Sequence, residues 1–154
     1  MTYKCEIYDQ FAQPTLAVRT HTAVQDLPRV LGEIYASIGQ LMGSLGIQPG
    51  GAPYTGYFNM DMQDLDIEIG FPVNEKVPGN GAIQAGEMPA GKYASVLHKG
   101  PYDKLGLAYE ALTEFIQQAG FKPSGVSYEF YLNSPVEVSS EDLRTQVVFP
   151  ILPA

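Results

Sequence analysis

The sequence predicts an α+β fold built by duplication: two ββαββ halves forming an antiparallel sheet with two helices. Three observations predict it. The chain is similar to itself at a long period, each half holds one apolar stripe of helical spacing, and short alternating segments flank each stripe. The composition agrees. With 154 residues, 45% of them hydrophobic and 17% charged, the chain is long enough for one domain with a sizeable core and too apolar for a disordered segment.

The self-similarity is direct. A shift of 74 residues brings Tyr35 onto Tyr109, Gly46 onto Gly120, Pro49 onto Pro123, Tyr57 onto Tyr131 and Asn59 onto Asn133. Further on the shift is 78, pairing Asp64 with Asp142, Leu65 with Leu143, Phe71 with Phe149 and Pro72 with Pro150. Four extra residues between Ser134 and Glu141 account for the change and mark a hairpin loop, where insertions are tolerated. His21 and His98 stand at comparable places in the two copies. Repeat 1 covers about 1–74 and repeat 2 about 81–154, joined by the turn-rich segment NEKVPGNG.

Within each copy the elements follow in order. Extended segments at about 3–9 and 82–88 precede strands at Leu16–His21 and Tyr93–His98. A helix comes next, with Leu27, Leu31, Ile34, Ile38, Leu41 and Leu45 as its stripe in the first copy. Leu105, Ala108, Leu112, Phe115 and Ala119 repeat it in the second. Pro101 suits the first helical turn, while Gly46 and Gly120 fit left-handed caps, with Pro49 and Pro123 preventing continuation. Two strands close each half, at about 53–59 with 65–73 and 125–132 with 142–151. One helix per half leaves a sheet face to be covered, so the halves are expected to need each other, with a groove at the pseudo-twofold seam.

Strand alternation sorts the side chains by face. Tyr54, Gly56 and Phe58, with Tyr128, Phe130 and Leu132, are apolar enough to be assigned to the side under the helices. Thr55, Tyr57 and Asn59, with Glu129, Tyr131 and Asn133, then fall on the opposite side. Glu129 breaks the symmetry of the repeat. A carboxylate among tyrosines favours a cationic guest through charge and through attraction to ring faces. Glu68 points to the non-core side of its strand and pairs with the neutral Gln146. Tyr102 opens the second helix, and Tyr109 is assigned to helical core packing.

The same composition excludes several function classes. The formal charge of −8 and nine dispersed Lys and Arg argue against phosphate-backbone binding. No apolar run reaches the roughly 20 residues that span a bilayer, and MTYKCEIYDQ is not a signal peptide, so the cytosol is the expected compartment. A lone Cys5 excludes an internal disulfide, and neither histidine has metal-ligand spacing; no metal and no cofactor is expected. There is no nucleophile elbow, P-loop or dinucleotide fingerprint.

Two stretches carry a family resemblance. PAGKYASVLHKGPYDKLGLAYEALTEFIQQAGFKPSGVSYEFYLNSP with DLRTQVVFPI, and GIQPGGAPYTGYFN with LDIEIGFPV in the first half, resemble the GyrI-like small-molecule-binding family. This is the effector-binding domain of AraC-type and MerR-type regulators. The resemblance covers nearly the whole chain. It implies one GyrI-like domain over 1–154 with a groove between the halves, binding lipophilic, often cationic aromatic compounds, including multiple drugs. The family's acidic groove residue falls in the YExY strand and matches Glu129; Tyr131, Tyr57 and Tyr102, with Glu68, are the other ligand-binding candidates. Enzymatic activity is not the leading expectation, and no helix-turn-helix segment is found in the sequence, so a stand-alone binder is expected rather than a transcription factor. It would have a small hydrophobic or cationic partner and no direct contact with nucleic acid or membrane; a homodimer is left open. The alternatives are a hydrolase of drug-like electrophiles using Glu129 with Tyr131 or Tyr102, and a modulator of DNA gyrase. A heme-binding reading lacks a histidine motif.

Overall fold

The computed structural model describes residues 3–154, and its elements follow the two repeats. The first repeat holds β1 (Cys5–Gln10), β2 (Gln13–Thr22), α1 (Leu27–Leu45), β3 (Tyr54–Tyr57) and β4 (Leu65–Pro72). The second holds β5 (Gln84–Met88), β6 (Gly91–Lys99), α2 (Leu105–Gln118), β7 (Phe121–Pro123), β8 (Ser127–Tyr131) and β9 (Arg144–Pro153). The α+β class and the duplicated ββαββ pattern are thus as expected from sequence. β7 is the addition. Ten-residue β9 outruns five-residue β8, and β7 pairs with its far end, Phe121 opposite Pro153, supplying backbone partners there.

The chain forms two compact units, and their membership differs from the repeats at one strand each. A C-terminal unit takes the chain up to Gln10 together with Gly91–Ala154; an N-terminal unit is Phe11–Ala90. In the C-terminal unit the antiparallel order is β1–β6–β9–β8, with β1 against β6 from Cys5↔Val96 to Gln10↔Gly91. In the N-terminal unit it is β3–β4–β2–β5, with β5 against β2 from Gln13↔Met88 to Ala17↔Gln84. Each repeat therefore gives its first strand to the sheet built by the other.

Each helix buries its stripe on its own unit's sheet. Leu105, Ala108, Leu112 and Ile116 of α2 pack on Ala94, Val96, Val147, Phe149 and Ile151. Along α1, Ile38 and Met42 are buried with Leu16 and Val73, while Leu27, Leu31 and Ile34 lie on Leu65, Ile67 and Ile69. Leu45, at the end of the expected stripe, is exposed. Gly46 ends α1 in the left-handed region at φ 69°, and Gly120 follows α2 at φ 88°, as the sequence led us to expect. Among the described residues no helix is long and apolar enough to cross a membrane.

The β3–β4 hairpin and the β8–β9 hairpin, the second of which carries the inserted residues, are each closed by an asparagine. Asn59 Oδ1 accepts the Asp66 N–H at 2.9 Å and its Nδ2 donates to the Asp64 carbonyl at 3.0 Å. Asn133 repeats this with the Arg144 N–H at 2.8 Å and the Asp142 carbonyl at 3.0 Å. The four extra residues loop out beyond this clamp, through a turn in which Glu137 and Val138 donate to the Ser134 carbonyl. Each asparagine is thus a hairpin clamp. Replacing Asn133 with Ala removes two hydrogen bonds and is expected to cost about 1–3 kcal/mol, read as a lower urea midpoint; Asn59→Ala should behave alike.

Candidate functional site

The rows of residues across the C-terminal sheet determine what lies under α2. Glu129 of β8 stands opposite Val147 of β9, which stands opposite Val96 of β6. The next row is Tyr131, Thr145 and His98. Val96 and Val147 are core residues beneath α2, so Glu129 and Tyr131 face the helix. The same holds in the N-terminal unit: Tyr57 packs with Leu65, Ile67 and Ile69 against Leu27, Val30 and Leu31 of α1. The sequence-based assignment of faces is therefore reversed. Its premise was that only one face of these strands is apolar, yet Tyr54 and Tyr128 on the other face are buried too. Apolarity could not separate the two sides.

Glu129 is the buried carboxylate of this unit, with 9% of its surface exposed. Its two oxygens are held separately. Tyr109, from the second turn of α2, donates to Oε2, and Tyr131, two residues along β8, donates to Oε1 at 3.0 Å. Tyr109 in turn packs at 5.6 Å on the ring of Phe149. Tyr102 stands edge-on to Tyr131 at 6.1 Å, from the 3₁₀ turn Tyr102–Lys104 that leads into α2, and is 39% exposed. A chain of rings thus runs from the core at Phe149 past the carboxylate to the surface at Tyr102.

Electrostatics follow from this burial. Loss of water pushes the Glu129 carboxyl above the usual glutamate range, against the two phenolic hydrogen bonds, which pull it down. Burial also raises Tyr102, and the nearby Glu129 charge raises it further. Desolvation without an opposing cation leaves a carboxylate that gains from any positive charge brought to it.

The structure brings three of the five candidates together: Glu129, Tyr131 and Tyr102. Tyr57 and Glu68 belong to the N-terminal unit, on opposite faces of its sheet. Tyr57 lies in the apolar cluster under α1, and Glu68 accepts a hydrogen bond from Tyr54 Oη at 2.9 Å. Tyr109, assigned from sequence to core packing, packs there and also holds the carboxylate. The 74-residue shift contained the signal, because it pairs Tyr35 with Tyr109 and Thr55 with Glu129, and Tyr35 Oη lies 3.2 Å from Thr55 Oγ1. His98 is fully buried, its Nε2 donating to the Pro101 carbonyl at 3.1 Å and its Nδ1 accepting from Tyr3 Oη at 2.9 Å. His21 instead pairs with Asp64 on the exposed surface. The described residues contain no group of three His, Cys, Asp or Glu able to hold a metal ion.

Comparison with known proteins is decisive on ancestry. Residues 3–152 match the GyrI-like small molecule binding domain. The chain belongs to this GyrI-like family. A comparison with curated sequences finds no match. Among solved structures, the chain resembles the EcmrR C-terminal domain at TM-score 0.87 and 22% identity, each covering 100% of the other. It spans 58% of the EcmrR chain in the EcmrR–DNA complex, at TM-score 0.83 and 21% identity. A hydrolase from Listeria innocua is similar at TM-score 0.72 and 14% identity, over 97% of this chain and 92% of that one. SAV2435 bound to tetraphenylphosphonium is similar at TM-score 0.62 and 12% identity, over 99% and 94%. At these identities the solved structures show a shared fold.

The raised Glu129 carboxyl gives a stability prediction whose sign is fixed. Its native pKa lies above its unfolded value, so its contribution is fully present below the ordinary glutamate range and is lost as pH rises through the raised value. Glu129→Gln keeps the shape without the charge. Its melting temperature should match wild type in acid and exceed it increasingly above about pH 4.5, the gap growing by about 1.4 kcal/mol per pH unit before levelling off. Parallel melting curves across that range would count against a raised carboxyl.

Proposed function

We propose that this GyrI-like small-molecule-binding protein holds lipophilic, cationic aromatic compounds at Glu129, for sequestration or sensing. The observation that carries the reading is the buried carboxylate held by two tyrosines, with a third ring leading to the surface. Burial makes the empty site electrostatically unsatisfied, and a delocalised cation carries little hydration to lose on entering. Tyr102 and Tyr131 offer ring faces and edges to an aromatic guest, and charge and π-attraction act together on a cation. Tyr109 is added to the ligand-binding set as the group that orients the carboxylate. Among relatives of the fold, SAV2435 bound to tetraphenylphosphonium is consistent with such a guest. The net charge of −8 sets this reading apart from direct nucleic-acid binding.

A second reading draws on the same carboxylate. A glutamate whose carboxyl is pushed up by burial, beside phenols, can serve as a general acid for a reactive electrophile, and one structural relative is described as a hydrolase. Product formation over time, against stoichiometric binding, separates the two readings.

Isothermal titration with tetraphenylphosphonium and the neutral triphenylphosphine oxide tests the leading reading. Glu129→Gln should weaken the cation by roughly 10–100-fold, the equivalent of a lost charged contact of about 1.5–3 kcal/mol, and leave the neutral compound within twofold. Wild-type affinity for the cation should also rise with pH through the raised glutamate range and then level off, because the bound cation displaces the proton. An equal loss for both compounds, or a pH-independent wild type, would contradict a charge-based site.

A further inference from the structure

Next to the carboxylate lies a polar atom that the fold does not use. Thr145 sits between His98 and Tyr131 in the row beside Glu129, with none of its surface exposed, and its Oγ1 has no hydrogen-bond partner among the described residues. Its neighbours are committed elsewhere. His98 spends one ring nitrogen on Tyr3 and the other on the Pro101 carbonyl, and Tyr131 donates to Glu129. A buried hydroxyl without a partner is destabilising, and valine would fill the same space without that penalty. Thr145 also lies in the same unit and on the same sheet face as the site, diagonal to Glu129 across β8 and β9, at the roughly 7–8 Å of such neighbours.

We infer that Thr145 is a second polar contact of the Glu129 site, and that the preferred ligands are aromatic cations bearing a hydrogen-bonding group about one side-chain row from the charge. Hydroxyl, ether and carbonyl groups all qualify, since a threonine hydroxyl both donates and accepts. The inference rests on the reading of Glu129 as a cation site. Entry runs past Tyr102, the exposed ring that stands edge-on to Tyr131. Once a guest displaces that ring, its charge reaches Glu129 and its polar group the neighbouring hydroxyl. A purely hydrocarbon cation satisfies only the first of these.

Two probes that differ by one hydroxyl test this: tetraphenylphosphonium and (para-hydroxyphenyl)triphenylphosphonium, in which the hydroxyl lies a comparable distance from phosphorus. Both are titrated into wild type, Thr145→Val and Thr145→Ser at one pH. Wild type and Thr145→Ser should bind the hydroxylated probe ~10-fold more tightly than the plain one. Thr145→Val should bind the two equally and melt ~3 °C higher when empty. If wild type makes no distinction between the probes, or Thr145→Val keeps the preference, the role of Thr145 is overturned while the cation site stands. If wild type binds neither probe, the cation site itself is overturned, and this inference with it.

Discussion

A phenol reaching from each helix down to the strand beneath it is the contact on which both halves depend. In the N-terminal unit Tyr35 of α1 donates to the Tyr54 carbonyl at 2.7 Å, lies 3.2 Å from the Thr55 hydroxyl, and meets the Phe71 ring at 5.5 Å. In the C-terminal unit Tyr109 of α2 reaches Glu129 and meets Phe149. Helix, strand and aromatic support correspond residue for residue. What differs is the acceptor: a neutral threonine beside a backbone carbonyl in one copy, a carboxylate in the other. One substitution on a duplicated framework separates a structural strut from a charged site.

That substitution has an energetic consequence. A carboxylate removed from water is costly, and two phenolic hydrogen bonds offset only part of the loss. The unpartnered Thr145 hydroxyl, in the next row, adds to it. Two neighbouring groups that cost stability are what a purely structural core tends to lose, and here both lie beneath the same helix. Among the described residues the N-terminal copy has no such concentration. Thr55 is buried and bonded, and Glu68 is bound by Tyr54 on the other side of the sheet.

Most of the fold was legible in the sequence because duplication printed each signal twice. The change of shift from 74 to 78 located a hairpin loop, and the paired glycines located both helix ends. Strand membership was not legible, because adjacency in sequence favours pairing β1 with β2, and nothing local reports that β1 pairs with β6. Of the candidate site, the grouping of Glu129, Tyr131 and Tyr102 was legible through asymmetry and family resemblance. The bond from Tyr109 to the carboxylate and the unpartnered hydroxyl of Thr145 were not, for different reasons. A helical tyrosine on the apolar stripe reads as core, which it also is. An isolated strand threonine carries no pattern at all; only the register with His98 and Tyr131 gives it a neighbourhood.

The exchange of first strands also sets the order of events during synthesis. Cys5 pairs with Val96, 96 − 5 = 91 positions later in the chain. A nascent chain therefore completes the N-terminal unit once Ala90 has emerged, with β5 already available to β2. β1 is made first and paired late. Until β6 leaves the ribosome it is an extended, unpaired segment carrying Ile7 and Tyr8, the kind of edge that recruits chaperones or other strands. The site at Glu129 is built on the unit that closes last.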